Sequence, residues 1–123
     1  MRFIITQALI SSITLLAIAP SVLAGGFASS CSNYGVSGGE LYGTCRRDDG
    51  STGSTEINLN GCLVNSNGQV GCRKGGDYAA TCSDCSFSGT TYTCECTNDD
   101  HKPVRSSVNL NDCITNDNGN LTC

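Results

Sequence analysis

Along most of the chain, polar and apolar residues alternate in short runs rich in Thr, Val, Ile and Tyr, and turn-forming residues interrupt them about every eight to twelve positions. Alternation with a period of two places one face of each run in a core and the other in water, which is the pattern of half-buried strands. No stretch carries apolar residues at helical spacing, so an all-β fold is expected. Asn65-Ser66-Asn67-Gly68 and Asn116-Asp117-Asn118-Gly119 predict hairpins, because Asn and Gly tolerate the positive backbone angles of tight turns. Cys85-Ser86-Phe87-Ser88, Gly89-Thr90 and Thr91-Tyr92-Thr93-Cys94 predict a third hairpin, on a two-residue turn, with Phe87 opposite Tyr92 and the two cysteines facing each other.

The pattern is written twice. Cys31, Cys45, Cys62 and Cys72 return as Cys82, Cys96, Cys113 and Cys123, each 51 residues later, and 15 of the 42 aligned positions are identical. Asn58-Leu59-Asn60 returns as Asn109-Leu110-Asn111, and Asn65, Asn67 and Gly68 as Asn116, Asn118 and Gly119. An internal duplication of this kind predicts two similar structural units, repeats 31–72 and 82–123, joined by a linker over Arg73 to Ala80 that contains Gly75-Gly76. Duplicated polar loops also suggest two similar sites, which favours binding over catalysis.

The one long apolar run, Ile4 to Ala19, follows Arg2 and precedes Val22-Leu23-Ala24, small residues of the kind a signal peptidase accepts. Residues 1–24 therefore read as a signal peptide, and a secreted, extracellular domain is expected over 25–123. Thr6, Gln7, Ser11, Ser12 and Pro20 interrupt the run and no basic stop-transfer cluster follows, so a membrane anchor is not expected.

All ten cysteines lie after this leader, an even number in a short chain bound for an oxidising compartment, so disulfides are expected. With no Trp and few large aliphatic residues the chain buries only a small core, and cross-links must supply much of its stability. Closing Cys31 to Cys45 alone is worth about 3 kcal/mol on a chain-entropy argument. Connectivity among ten cysteines is not fixed by sequence. The repeat makes a within-copy pattern the economical choice: Cys31–Cys45, Cys82–Cys96, Cys62–Cys72, Cys113–Cys123 and the remaining pair Cys85–Cys94. Cys62 faces Cys72 if Ser66-Asn67-Gly68 is a three-residue turn. Cys82-x-x-Cys85 and Cys94-x-Cys96 also admit a zinc site. The export route and the first copy, which has Tyr34 and Gly43 at the matching places, argue for paired disulfides and no metal.

Charge narrows the partners. Eleven Asp and Glu face seven Lys and Arg, and Arg2 lies in the leader. The basic clusters are only Arg46-Arg47 and Arg73-Lys74, so nucleic acid is not an expected partner. With one His, every Cys assigned to a bridge and no Ser-centred nucleophile motif, no base and nucleophile pair stands out and no enzymatic activity is expected. Asp48-Asp49 and Asp99-Asp100 would have to converge from opposite sides of a sugar to act as glycosidase acids, whereas adjacent acids usually mark a solvated turn.

Two tandem repeats of about fifty residues, a Phe27 four residues before Cys31, and the segments Ile57-Asn58-Leu59-Asn60 with Asn65-x-Asn67-Gly68 and Val108-Asn109-Leu110-Asn111 with Asn116-x-Asn118-Gly119 together resemble the cyanovirin-N homology family of mannose-binding lectins. The likeness spans nearly all of Gly25 to Cys123. It implies a pseudo-symmetric β fold in which each half is a three-stranded sheet plus a hairpin, the hairpins being exchanged between repeats. Half A would be Gly25 to Gly61 with Cys113 to Cys123, and half B Cys62 to Asp112. Cys72 and Cys123 stand where the cyanobacterial pattern has aromatic residues, so bridges would replace core packing there.

The resemblance further implies metal-free binding of terminal α1-2-linked mannose on high-mannose oligosaccharides or glycoproteins, in a shallow pocket of each half. By position, the half A pocket would comprise Gly26, Ser29, Ser30, Arg46, Asp48, Asn116, Asp117 and Asn118. The half B pocket would comprise Val64, Asn65, Asn67, Gly76, Asp77, Tyr78, Thr81, Thr97, Asn98, Asp99 and His101. Vicinal hydroxyls need closely spaced donors and acceptors, which exposed loops of Asn, Asp, Ser and Arg provide. Several family contact positions change type here: Gly26 lacks a long donor, Arg46 replaces an acid and Asp99 replaces a base. Losing one buried hydrogen-bond partner costs about 1–3 kcal/mol, enough to silence a weak sugar site.

Each candidate has a plainer reading beside the functional one. Asn65, Asn67, Asn116 and Asn118 suit turn formation as well as sugar contact, and His101, between Asn98-Asp99-Asp100 and Lys102-Pro103, suits a solvated loop. An alternative from another class is a disulfide-stapled secreted interaction or effector-like module that keeps the lectin scaffold without sugar binding. Asn120-Leu121-Thr122 is a glycosylation acceptor sequence. A monomer or a domain-swapped dimer is expected, because a hairpin exchanged between repeats can be exchanged between chains.

Overall fold

The computed structural model describes residues 25–123; the signal peptide expected over residues 1–24 lies outside the described residues. Ten strands form the fold: β1 (Cys31–Ser37), β2 (Glu40–Arg46), β3 (Thr52–Asn58), β4 (Leu63–Ser66), β5 (Gln69–Cys72), β6 (Cys82–Ser88), β7 (Thr91–Thr97), β8 (Pro103–Asn109), β9 (Thr115–Asp117) and β10 (Asn120–Thr122). Single 3-10 turns at Phe27–Ser29, Leu59–Gly61, Tyr78–Ala80 and Leu110–Asp112 lead into or out of the sheets. The expected all-β class holds. β1-β2-β3 and β6-β7-β8 are antiparallel three-stranded sheets, and β4-β5 and β9-β10 are hairpins. Phe87 lies opposite Tyr92, as the Gly89-Thr90 turn predicts.

The hairpins are exchanged between the repeats. β4-β5, from the first repeat, lies against the second repeat's sheet, where the Val70 amide donates to Ser106 Oγ at 2.8 Å. β9-β10 lies against the first sheet, where the Leu121 amide donates to Thr55 Oγ1 at 3.1 Å. In each repeat an Asn at the end of the third strand caps the following 3-10 turn, Asn58 Oδ1 accepting from the Asn60 amide and Asn109 Oδ1 from the Asn111 amide, both at 2.9 Å. The repeated Asn-Leu-Asn is thus the corner at which the chain leaves one half for the other. Its leucine is the anchor: Leu59 and Leu110 are fully buried, with Phe27, Leu41, Leu63 and Ile114. Tyr34 reaches across the halves, its ring edge-on to Phe27 at 5.0 Å and to Phe87 at 6.4 Å between centroids.

All ten cysteines are bridged. Cys31–Cys45, Cys82–Cys96 and Cys85–Cys94 pair as the repeat and the hairpin suggest, so the zinc arrangement of the last four does not form. In the first repeat Tyr34 packs over Gly43 where the second has the Cys85–Cys94 bridge; a Cβ on Gly43 would sit 3.1 Å from Tyr34 Cβ. The other two expected pairs are wrong. Cys62 bonds Cys123 and Cys72 bonds Cys113, so these bridges run between the repeats and not within them. The reason is turn length. Asn67 and Gly68, at φ 50° and 88°, make a two-residue turn that pairs Ser66 with Gln69. That register sets Cys72 opposite Leu63 and leaves the Cys62 carbonyl accepting from Arg73, one step out from the expected pairing. A one-residue slip sends the two side chains to opposite faces. The same turn at Asn118-Gly119 pairs Asp117 with Asn120 and separates Cys113 from Cys123 in the same way. Duplication symmetry survives, since Cys62 and Cys113 are counterparts, as are Cys72 and Cys123.

Two tyrosine phenols meet in the core. Tyr92 is buried and its phenol meets the Tyr78 phenol at 2.9 Å. Burial, with the Tyr78 hydrogen bond adding to it, pushes the Tyr92 phenol well above the ordinary tyrosine range. The folded state therefore holds its proton at a pH where the unfolded chain, with a pKa of about 10, has released it. Stability is expected to be flat with respect to this group below about pH 10 and to fall as pH rises beyond it; denaturant midpoints between pH 9 and 11 measure the slope, which Tyr92→Phe should flatten.

Candidate functional site

Each hairpin turn leans onto the loop after the second strand of the neighbouring sheet, and in both halves one asparagine holds the two together. In half B, Asn65 Nδ2 donates to Thr81 Oγ1 and to the Thr97 carbonyl, both at 2.8 Å, while its Oδ1 accepts from the Gly68 amide at 2.7 Å. In half A, Asn116 Nδ2 donates to Ser30 Oγ at 2.9 Å and to the Arg46 carbonyl at 2.8 Å, with Oδ1 accepting from the Gly119 amide at 2.7 Å. Both amide hydrogens and one lone pair of each side chain are committed, so Asn65 and Asn116 fasten each turn to its loop.

The next asparagine of each turn points the same way. Asn67 Oδ1 accepts from the Asp99 amide and Asn118 Oδ1 from the Asp48 amide, each at 2.8 Å. Asn67 and Asn118 are exposed, and both adopt the left-handed backbone of the first turn position, φ 50°. The result is a shallow recess in half B of ≈ 510 Å³ lined by Asn65, Asn67, Thr81, Thr97, Asn98, Asp99 and His101. Asn98 shapes its far wall by accepting from the Asp100 amide at 2.9 Å and the Lys102 amide at 3.0 Å. His101, exposed at φ 62°, sits in this turn.

Seven of the eleven expected half B residues thus share one recess, and four stand apart. Val64 and Asp77 form an isolated bridge, and a Cβ on Gly76 would collide with the Leu63 carbonyl. The Asp77 carboxylate accepts from Asn60 Nδ2 at 2.8 Å. Tyr78 turns its ring into the core and its hydroxyl to Tyr92, so only its backbone, which accepts from the Thr81 amide, lies near the loop. In half A, Ser30, Arg46, Asp48, Asn116 and Asn118 are joined by the hydrogen bonds above. Gly26 and Ser29 form a small turn beside them, Ser29 Oγ donating to the Gly26 carbonyl at 2.9 Å, and Asp117 faces Asn120 across the hairpin.

Arg47 is a residue the sequence did not single out. Its guanidinium donates to Ser51 Oγ at 3.2 Å and to the Thr52 carbonyl at 2.8 Å, and its stem lies under the Asn118-Gly119 turn, where a Cβ on Gly119 would come within 2.7 Å of Arg47 Cγ. Nothing in Arg46-Arg47 says which arginine folds back over its own loop; Arg47, one residue past the end of β2, does so while staying exposed. The neighbouring acids do not converge: Ser51's hydroxyl and amide hold the Asp49 carboxyl below the usual range and bend it back into its own loop. Among the described residues no cluster of His, Cys, Asp or Glu could hold a metal ion.

The family model for the CVNH domain matches residues 27–122, and the chain belongs to that family. Solved structures agree on the fold. A MoCVNH3 variant (Mo0v), determined in complex with (N-GlcNAc)4, superposes with TM-score 0.74 at 21% identity, over 83% of this chain and 99% of that one. TbCVNH, from T. borchii, gives TM-score 0.65 at 28% identity, over 79% and 97%. Microvirin, determined in complex with mannobiose, gives TM-score 0.63 at 23% identity, over 80% and 97%.

Proposed function

We propose that this protein is a secreted, non-enzymatic lectin whose two loop pockets take neutral mannose-type glycan ends, terminal α1-2-linked mannose foremost. The observation that carries this reading is the repeated asparagine frame: Asn65 with Thr81 and Thr97, and Asn116 with Ser30 and Arg46, each holding a second asparagine beside a loop aspartate. Turn formation alone would account for the Asn-Gly steps. It does not account for two turns fastened at matching atoms to a loop of another repeat, each with a second asparagine whose Oδ1 accepts from the backbone amide of a loop aspartate. Donors and acceptors so spaced suit adjacent sugar hydroxyls.

Microvirin supports mannobiose as the first ligand to try, and the MoCVNH3 variant makes a GlcNAc tetramer the natural competitor. Calorimetric titration of the oxidised protein with α1-2 mannobiose, the GlcNAc tetramer and cellobiose tests the proposal. Saturable heat with mannobiose and none with cellobiose is expected. Heat only with the tetramer would move the specificity to GlcNAc, and heat with none of the three, alongside binding to a deglycosylated protein surface, would favour the interaction-module reading.

A further inference from the structure

We propose that Asn120 carries an N-linked glycan and that this glycan caps the half A pocket, leaving half B as the open site. The first part stands on the chain itself, given an export route; the second rests on the sugar-binding reading above.

Asn120-Leu121-Thr122 has the acceptor sequence, and β10 displays it to the right side. Leu121 is buried with its amide on Thr55, while Asn120 and Thr122, one residue either side, are exposed. Alternation along the strand therefore points the asparagine away from the core, and a bulky substituent there disturbs neither the hairpin nor the Cys62–Cys123 bridge. In the transfer, Asn120 Nδ2 bonds the anomeric carbon of a lipid-diphosphate-linked oligosaccharide; the diphosphate leaves and Nδ2 loses one proton.

The position relative to the pocket follows from the register. Asn120 is paired with Asp117, and paired residues share a face with Cβ atoms about 5 Å apart. Asp117 adjoins Asn118, which holds the Asp48 loop. A sugar chain rooted on Asn120 therefore starts two residues from Asn118, on the strand face opposite Asn116, and covers half A by folding back over the Asn118-Gly119 turn. Half B has no counterpart: the matching residue is Gln69, opposite Ser66, followed by Val70-Gly71, which is no acceptor. Duplication made two similar loop clusters, and the acceptor sequence separates them.

The test uses the full chain, residues 1–123, secreted from yeast. Intact mass should exceed the polypeptide by at least one core oligosaccharide, which peptide N-glycosidase removes and which Asn120→Gln lacks. Amide spectra with α1-2 mannobiose should then show shifts at Asn67, Thr97 and Asp99 in both forms, but shifts at Arg46, Asp48 and Asn118 only after the glycan is removed. Secreted protein without carbohydrate on Asn120 overturns the modification. A glycan whose removal leaves the half A response unchanged overturns the cap. Silence of both halves in both forms overturns the cap together with the sugar reading, while the mass still decides the modification.

Discussion

Removing both inter-repeat bridges, by Cys62→Ala, Cys123→Ala, Cys72→Ala and Cys113→Ala together, is expected to cost about 7 kcal/mol, most of the stability of a domain this size. The bridges span sequence separations of 61 and 41 residues, against 14, 14 and 9 for the local ones. In the chain-entropy account the first of the two to close is worth about 4 kcal/mol. Once it is closed, the second completes a circuit of only about twenty residues and adds about 3 kcal/mol, so either pair removed alone should cost about 3. Denaturant titrations of the two single-bridge variants and the double variant measure this; a double variant no less stable than the singles would contradict it. Both bridges straddle the linker at Arg73 to Ala80, across which hairpins would be traded between chains. An oxidised monomer cannot trade them without opening both bonds. Any swapped dimer should carry these bonds between chains and so run as a dimer on a denaturing gel until reductant is added.

The second large effect is on binding. Asn67→Gly, which also removes the bond from the Asp99 amide, is expected to cost no more than about 1 kcal/mol of stability and to weaken mannobiose binding in half B at least tenfold. Glycine accepts the left-handed turn position at no steric cost, so the hairpin keeps its register. What disappears is the amide between the Asp99 loop and the sugar, a loss of about 1–3 kcal/mol if it contacts the ligand. Asn65→Ala should behave differently, losing three hydrogen bonds at once, and with them both about 2 kcal/mol of stability and the pocket. Thermal melts paired with titrations separate the cases. Full binding by Asn67→Gly would return Asn67 to the role of a plain turn residue.

These contrasts show where sequence reading reached and where it stopped. The duplication, the strand pattern and the three local bridges were legible because each depends on spacing within one hairpin or one pair of neighbouring strands. Cys62 and Cys72 pair otherwise than the repeat suggests because Ser66-Asn67-Gly68 reads equally as a three-residue or a two-residue turn, and one residue reverses the face of every side chain beyond it. The exchange of hairpins cannot be read from alternation at all, since the strands would alternate alike against either sheet; it came from the family likeness. Position alone puts Tyr78 at the pocket, yet a large ring opening a 3-10 turn in a domain without Trp is drawn to the core, where Tyr92 satisfies its hydroxyl. Asn65 and Asn116 looked equally like turn formers and sugar ligands. The partners of their Nδ2 atoms lie 16 to 86 residues away in sequence, and only the folded arrangement reveals them as the frame.

The measurement that bears most directly on the account is an amide-resolved titration of the oxidised protein, without glycan, with α1-2 mannobiose. The account predicts saturable shifts confined to the loops around Asn67, Thr97 and Asp99 and around Asn118, Arg46 and Asp48. Shifts elsewhere on the surface, or none at millimolar sugar, would contradict it.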